Sequence, residues 1–124
     1  MAHLDFETTR NGTVAVVAPT GELDLSGATA LEIELERLER DRGVGTIVLD
    51  LRGLEFMDSS GLRLVAILDM RAREAGRRFA LVAGAEPVHR VFEITKMTDR
   101  LDFVAAPEEV FEREVVDPAA EERS

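Results

Sequence analysis

Residues Thr46 to Leu51 form a short run that is rich in β-branched side chains and almost continuously apolar. A strand with one wet face alternates apolar and polar side chains, whereas a nearly unbroken apolar run is typical of a parallel strand that is covered on both faces. The run therefore predicts a central strand in an α/β fold. Asp50, near its end, is expected to be buried and to need a hydrogen-bond partner.

The rest of the chain predicts alternating strands and helices after an opening hairpin. Leu4 to Thr8 and Thr13 to Ala18 flank the Asn11-Gly12 step, which is a strong hairpin signal. A helix from about Gly27 to Arg42 would begin at a cap formed by Ser26 or Asp24. Later elements are strands at Phe79 to Ala83 and Phe103 to Ala105, and helices that end before Gly76, run from Pro87 to Ile94 and run from Pro107 to Val115.

These elements predict one α/β domain over residues 4–115, followed by a flexible acidic tail at 116–124. We expect a mixed, mostly parallel sheet of about five strands, with an N-terminal β-hairpin and about four helices. A chain of 124 residues is long enough for one core and too short for two.

Composition excludes several classes of function. Fifteen basic and twenty-five acidic side chains give a formal charge of −10, which opposes direct binding to nucleic acid. The chain has no cysteine, so it has no disulfide, no thiolate nucleophile and no cysteine-based metal site. It also has no apolar stretch near the roughly 18 residues of a membrane span. We therefore expect a cytoplasmic protein that does not bind a membrane. We also expect it to be monomeric when free and to bind no metal or cofactor.

A corner that carries hydroxyl groups is the strongest candidate site. Asp58-Ser59-Ser60-Gly61 follows the apolar strand region and precedes a second apolar run, Leu62 to Leu68, which marks a helix start. The first N–H groups of a helix have no partner within it, so Asp and Ser can cap them and a phosphate is stabilised there. Capping alone would account for these residue types.

Three motifs carry a resemblance that extends over about residues 4–115. They are Thr20-Gly21-Glu22-Leu23-Asp24, Ile47-Val48-Leu49-Asp50-Leu51 and Phe56-Met57-Asp58-Ser59-Ser60-Gly61-Leu62. In order and spacing they resemble STAS domains, and more narrowly the bacterial anti-sigma factor antagonists. The resemblance implies a phosphorylation-controlled binding module. In that family the first serine of Asp-Ser-Ser-Gly accepts phosphate from a kinase that is also the anti-sigma factor, which by position implies Ser59.

The resemblance also implies the partners and the partner-binding residues. The unphosphorylated form would bind the anti-sigma factor/serine kinase and release the sigma factor, phosphorylation of Ser59 would reverse binding, and a serine phosphatase would reset the switch. Residues expected at the partner surface are Asp24, Leu25, Ser26, Met57, Asp58, Ser60, Gly61 and Arg63.

Several roles at this surface stay open from sequence alone. Asp58 and Ser60 either cap the helix or orient Ser59, and Ser60 could be modified instead of Ser59. Gly61 either lets a partner approach closely or relieves crowding in the first helical turn. Arg63 stands where smaller residues are commoner in the family, so it could alter the fit of the kinase or pair with the phosphate. Asp24 could simply cap a helix.

Other classes of function have weaker support. A STAS domain can be a non-switching scaffold, or a subunit of a signalling or lipid-transport complex, and an intact Ser59 does not exclude this. A serine hydrolase would need a base, but only His3 and His89 are present and neither lies in a catalytic motif. Asp50 could act as the phosphoacceptor of a receiver domain, but the only lysine, Lys96, precedes the last strand. We therefore predict a non-enzymatic protein.

Overall fold

A computed structural model of the chain describes residues 3–115; Met1, Ala2 and the segment predicted as a tail lie outside the described residues. The strands are Leu4–Asn11 (β1), Val14–Leu23 (β2), Thr46–Asp50 (β3), Leu54–Met57 (β4), Arg78–Val82 (β5) and Phe103–Val104 (β6). The helices are Leu25–Arg40 (α1), Ser59–Ala75 (α2), Glu86–Ile94 (α3) and Pro107–Val115 (α4), and a short 3-10 helix spans Met97–Asp99.

The strands form one mixed sheet in the order β1-β2-β3-β5-β6, and β4 also pairs with β2. Only the β1–β2 hairpin is antiparallel, and the other pairings are parallel. The prediction of a mostly parallel sheet with an N-terminal hairpin and about four helices is therefore confirmed. The strand not predicted from the sequence, β4, raises the total among the described residues to six.

The central strand β3 is buried along its whole length, as its apolar run predicts. Ile47 and Leu49 pack in a core with side chains of α1, α2 and α3, whereas Val48 packs in a second core with Val110 of α4. Successive side chains of a strand point to opposite faces, so this division means that helices cover both faces of the sheet.

Asp50 is buried at the end of β3 and finds its partner two residues along the chain. Its carboxylate accepts hydrogen bonds from Arg52 Nε at 3.0 Å, Arg52 Nη2 at 2.8 Å and the Arg52 backbone N–H at 3.1 Å. Burial raises the pKa of Asp50, but these hydrogen bonds and the charge of Arg52 more than offset it and hold the pKa below its usual value. This fork of contacts gives Asp50 a structural role.

The predicted boundaries of α1 were wrong by about two residues at each end. The helix begins at Leu25 because Asp24 caps it, with Asp24 Oδ1 accepting the Gly27 N–H at 3.0 Å, so Ser26 is not the cap. Leu25 and Ser26 consequently lie in the first helical turn. The helix ends at Arg40, because the backbone of Asp41 is extended.

Candidate functional site

The fold brings the motif that ends at Asp24 next to the motif that contains Asp58 and Ser59. β2 and β4 are parallel neighbours, and Leu23 at the end of β2 pairs with Met57 at the end of β4. The Asp58 N–H donates to the Leu23 carbonyl at 3.2 Å. Each strand is followed by one aspartate and then by a helix, so α1 and α2 begin side by side at the same edge of the sheet.

Asp24 and Asp58 cap these two helices with similar backbone geometry, Asp24 through the N–H three residues along and Asp58 through the N–H two residues along. Both have extended backbones, with φ −111° and ψ −170° at Asp24 and φ −102° and ψ −169° at Asp58. Asp58 Oδ1 accepts the Ser60 N–H at 2.8 Å, as Asp24 accepts that of Gly27. An N-cap side chain at such a position is worth about 1 kcal/mol, so both aspartates contribute to helix stability whatever else they do.

Ser59 is the first residue of α2 and is exposed, whereas Ser60 is half-buried. The hydroxyl of Ser59 has no hydrogen-bond partner among residues 3–115, because the capping role is taken by Asp58. The side chain of Ser60 lines a groove between α1 and α2. Of the two serines, Ser59 is therefore the more accessible to another protein.

Met57 and Gly61 lie beneath the corner. Met57 is 4% exposed, and a Cβ atom added to Gly61 would lie 2.5 Å from Met57 Cγ and 2.9 Å from Leu23 Cδ2. Ordinary carbon–carbon contacts are about 3.5–4.0 Å, so glycine is the residue that this packing accommodates. The geometry supports relief of crowding as the role of Gly61, and Met57 shapes the corner from within the core.

Leu25 is a large apolar side chain exposed at this site. It is the first residue of α1 and is 71% exposed, although its neighbours Leu23 and Ala28 are buried. It lies at one side of the groove between the helices, which has a volume of about 330 Å³. The groove is lined by Leu25, Ala28, Thr29, Glu32, Ser60, Arg63, Leu64 and Ile67.

Sequence analysis missed Thr29 and Glu32, which contribute the α1 side of this groove. Residues three and four apart on a helix share a face, so the spacing of Leu25, Thr29 and Glu32 could have indicated them. The other predicted surface residues, Asp24, Ser26 and Arg63, lie in or next to the first turns of the two helices.

Two further properties concern the described part of the chain alone. No three histidine, aspartate or glutamate side chains within residues 3–115 are grouped so that they could hold a metal ion. The helices of the same region are all too short or too polar to cross a bilayer.

Comparison with known proteins gives consistent matches. The family model described as STAS domain matches residues 5–113. An anti-sigma F factor antagonist from Paenibacillus polymyxa is 29% identical over 93 residues, which cover 75% of this chain and 80% of that protein. An anti-sigma factor antagonist from Mycobacterium paratuberculosis has a similar structure, with a TM-score of 0.79, 24% identity and coverage of 93% of this chain and 96% of that one.

The phosphorylated form of the Bacillus cell fate determinant SpoIIAA also has this fold. The TM-score is 0.70 at 23% identity, and the match covers 88% of this chain and 98% of SpoIIAA.

Proposed function

The chain belongs to the STAS domain family, and within that family we propose that it is an anti-sigma factor antagonist whose binding is switched off by phosphorylation of Ser59. The arrangement of the two helix starts carries the proposal. Ser59 is exposed at the start of α2, and its hydroxyl forms no hydrogen bond with a described residue. The exposed Leu25 lies at the start of the neighbouring helix α1. The names of the sequence relatives support the class of partner, an anti-sigma factor.

Phosphoryl transfer requires only that this protein present an accessible hydroxyl to the kinase. The Oγ atom of Ser59 attacks the γ-phosphorus of a nucleoside triphosphate bound by the partner kinase. The new Oγ–P bond replaces the bond between that phosphorus and the β–γ bridging oxygen, the diphosphate leaves, and the hydroxyl proton passes to a base of the kinase or to water. Hydrolysis by a serine phosphatase would restore the hydroxyl and release inorganic phosphate.

The added phosphate is compatible with the fold. It brings a charge of about −1.5 to −2 at pH 7. An anion at an exposed helix N-terminus is stabilised by roughly 0.3–1 kcal/mol, and Ser59 has no hydrogen bond to a described residue that the phosphate would break. The helix should therefore form as well in the phosphorylated protein as in the unphosphorylated one.

The same phosphate would weaken binding to the partner. In a complex that covers Ser59 and Leu25, the phosphate loses water and lies beside Asp58, so it adds desolvation and repulsion. A penalty of about 2.8 kcal/mol weakens binding roughly a hundredfold. A penalty of this size at the interface is enough to switch binding off without any refolding of the domain.

A quantitative pull-down from native lysate tests the proposal. The immobilised proteins are wild type, Ser59→Ala, Ser59→Glu and Thr9→Glu, where the last adds the same charge on exposed β1 as a control. We expect wild type, Ser59→Ala and Thr9→Glu to retain an ATP-binding anti-sigma factor that Ser59→Glu loses by at least tenfold. Equal retention by all four proteins would contradict the switch and favour a constitutive scaffold, and failure of wild type to retain any anti-sigma factor would contradict the proposed partner.

A further inference from the structure

Arg63 differs from the other two arginines of α2 in having no hydrogen-bond or ion-pair partner among the described residues. Arg71 is paired with Glu39 at 3.1 Å and with Glu32 at 3.6 Å, and Arg73 is paired with Asp69 at 2.9 Å. Arg63 is exposed and forms no hydrogen bond or ion pair with any of residues 3–115. Its guanidinium therefore has five N–H donors available.

The position of Arg63 along α2 directs it toward Ser59. The two residues are four apart in the same helix, so they lie on one face about one turn from each other. The Cα–Cβ bonds of a helix tilt toward its N-terminus, and long side chains lie over the preceding turn. The turn that precedes Arg63 is the one that begins at Ser59.

Carboxylates line both surfaces that Arg63 borders, and none of those described forms an ion pair with it. On the side away from α1 these are Asp69, which is engaged by Arg73, and Glu74 and Asp99. Glu32 of α1 lines the groove between α1 and α2, but it is engaged by Arg71. Asp58, next to Ser59, is engaged as the cap of α2, and Asp24 caps α1. Arg63 thus remains available to an anion that appears at the start of α2.

We infer that Arg63 is the intramolecular partner of a phosphate on Ser59, a role that rests on the proposed phosphorylation. Two N–H groups of the guanidinium donate to two phosphate oxygens, which is the bidentate geometry that arginine favours with phosphate. The contact holds the phosphate over the first turn of α2 and withdraws the Arg63 side chain from the partner surface. Phosphorylation consequently changes two surface charges at once, one by addition and one by pairing.

The test uses the full chain with phosphoserine installed at position 59 during translation, so that it needs neither the kinase nor the anti-sigma factor. The second pKa of the phosphate is measured by a phosphorus-31 NMR titration in otherwise wild-type protein and in Arg63→Gln, Arg63→Lys and Arg40→Gln. Arg40 is the matched control, since it is exposed, has no ion pair with a described residue and lies at the opposite end of α1.

We expect the second pKa of the phosphate to rise by about 0.5 unit in Arg63→Gln, a roughly threefold change in its acid dissociation constant. The second pKa of the phosphate should rise by less in Arg63→Lys, and in Arg40→Gln it should equal that of the otherwise wild-type protein. The difference should shrink in about 1 M salt, where exposed charges are screened. The other charged groups near Arg63 are the same in all four proteins, so their effects on the phosphate cancel in the comparison; they are Asp24, Asp58, Glu32, Asp69, Arg73, Glu74, Asp99 and Arg100.

A second readout follows the guanidinium itself. The Nε–H signal of Arg63 in proton–nitrogen NMR spectra should move and exchange more slowly with water in the phosphorylated protein than in the unphosphorylated one. If Arg63→Gln titrates like wild type and the Nε–H signal is unchanged, the inference is wrong even if Ser59 still controls partner binding. If both signatures appear but no anti-sigma factor is bound in the pull-down, the pairing stands and the proposed function fails.

Discussion

Gly61→Ala separates the two roles that the sequence leaves open for this glycine. Gly61 is buried in the first turn of α2, against Met57 and Leu23. If the glycine serves a partner, alanine should fold normally and fail only in binding. If it relieves crowding, alanine should destabilise the free protein.

Two opposing effects set the expected magnitude. Alanine has a helix propensity better than that of glycine by about 1 kcal/mol. Its Cβ, however, would lie 2.5 Å from Met57 Cγ and 3.0 Å from Leu23 Cγ, so these side chains must move within a packed core. Both are buried, at 4% and 0% exposure, and overpacking of this kind costs about 1–3 kcal/mol.

The overlap at 2.5 Å is more than 1 Å inside an ordinary contact, which places the packing penalty near the upper limit of that range. After the gain in helix propensity, we expect Gly61→Ala to lower the free energy of unfolding by about 2 kcal/mol. For a domain of this size, that corresponds to a fall in Tm of roughly 6–10 °C.

Urea unfolding of the free protein is the assay, with Gly45→Ala as the matched control. A Cβ at Gly45 would meet Thr13 at 3.7 Å, an ordinary contact, so we expect a change within about 0.5 kcal/mol. The midpoint should fall for Gly61→Ala with an unchanged m value. If Gly61→Ala is as stable as wild type, the crowding account is wrong and a contact with the partner becomes the better explanation.

Three further variants test other parts of the site. Asp58→Ala should lower the free energy of unfolding by about 1 kcal/mol in urea unfolding, whereas Asp58→Asn, which keeps a capping oxygen, should lose much less; equal losses would contradict the capping role. Because the folded-state pKa of Asp50 is lowered, its pairing stabilises the protein above its unfolded pKa of about 3.9 and is lost as pH falls through the lower folded value. Arg52→Gln should therefore be less stable than wild type at pH 6, with a difference that narrows in pH-dependent unfolding below about pH 4, and a pH-independent difference would refute this account. Leu25→Ala should weaken binding to the anti-sigma factor by about five- to thirtyfold in a calorimetric titration without changing Tm, and an unchanged affinity would remove Leu25 from the partner surface.

Elements with a strong repeating pattern could be predicted from the sequence. The unbroken apolar run of β3 indicated a strand covered on both faces, and the Asn11-Gly12 step indicated the hairpin. Both features depend on neighbours in the chain, so the sequence displays them directly.

β4 could not be predicted in this way. Its four residues have buried side chains only at the two ends, so they show no alternation. Its pairing with β2 also follows a register shift between Gly21 and Glu22, which depends on two segments far apart in the chain.

The true start of α1 was missed for a related reason, since two residues were plausible caps and only the backbone geometry decides between Asp24 and Ser26.

The position of the candidate site at a helix start could be predicted from the sequence, but the way its residues divide between surface and core could not. The sequence indicated a serine at a helix start, and it could not distinguish the residues that face outward from those that lie beneath. That distinction depends on the pairing of Leu23 with Met57, which places Gly61 in the core and leaves Ser59 exposed. The lining of the groove by Thr29 and Glu32 likewise requires α1 and α2 to be placed next to each other.

Because capping and packing at the start of α2 are carried by residues other than Ser59, a phosphate on Ser59 would change the surface charge without disturbing the fold. If Ser59 were the N-cap, its hydroxyl would hold a backbone N–H, and phosphorylation would perturb the helix start. Asp58 takes that role instead, and Gly61 supplies the close packing below, so the Ser59 hydroxyl forms no hydrogen bond with a described residue. A phosphate there is mildly favourable to the helix and unfavourable to a partner that must cover it. Under the proposed phosphorylation of Ser59, the energetic penalty would therefore fall at the interface with the partner, and the free domain would lose no stability.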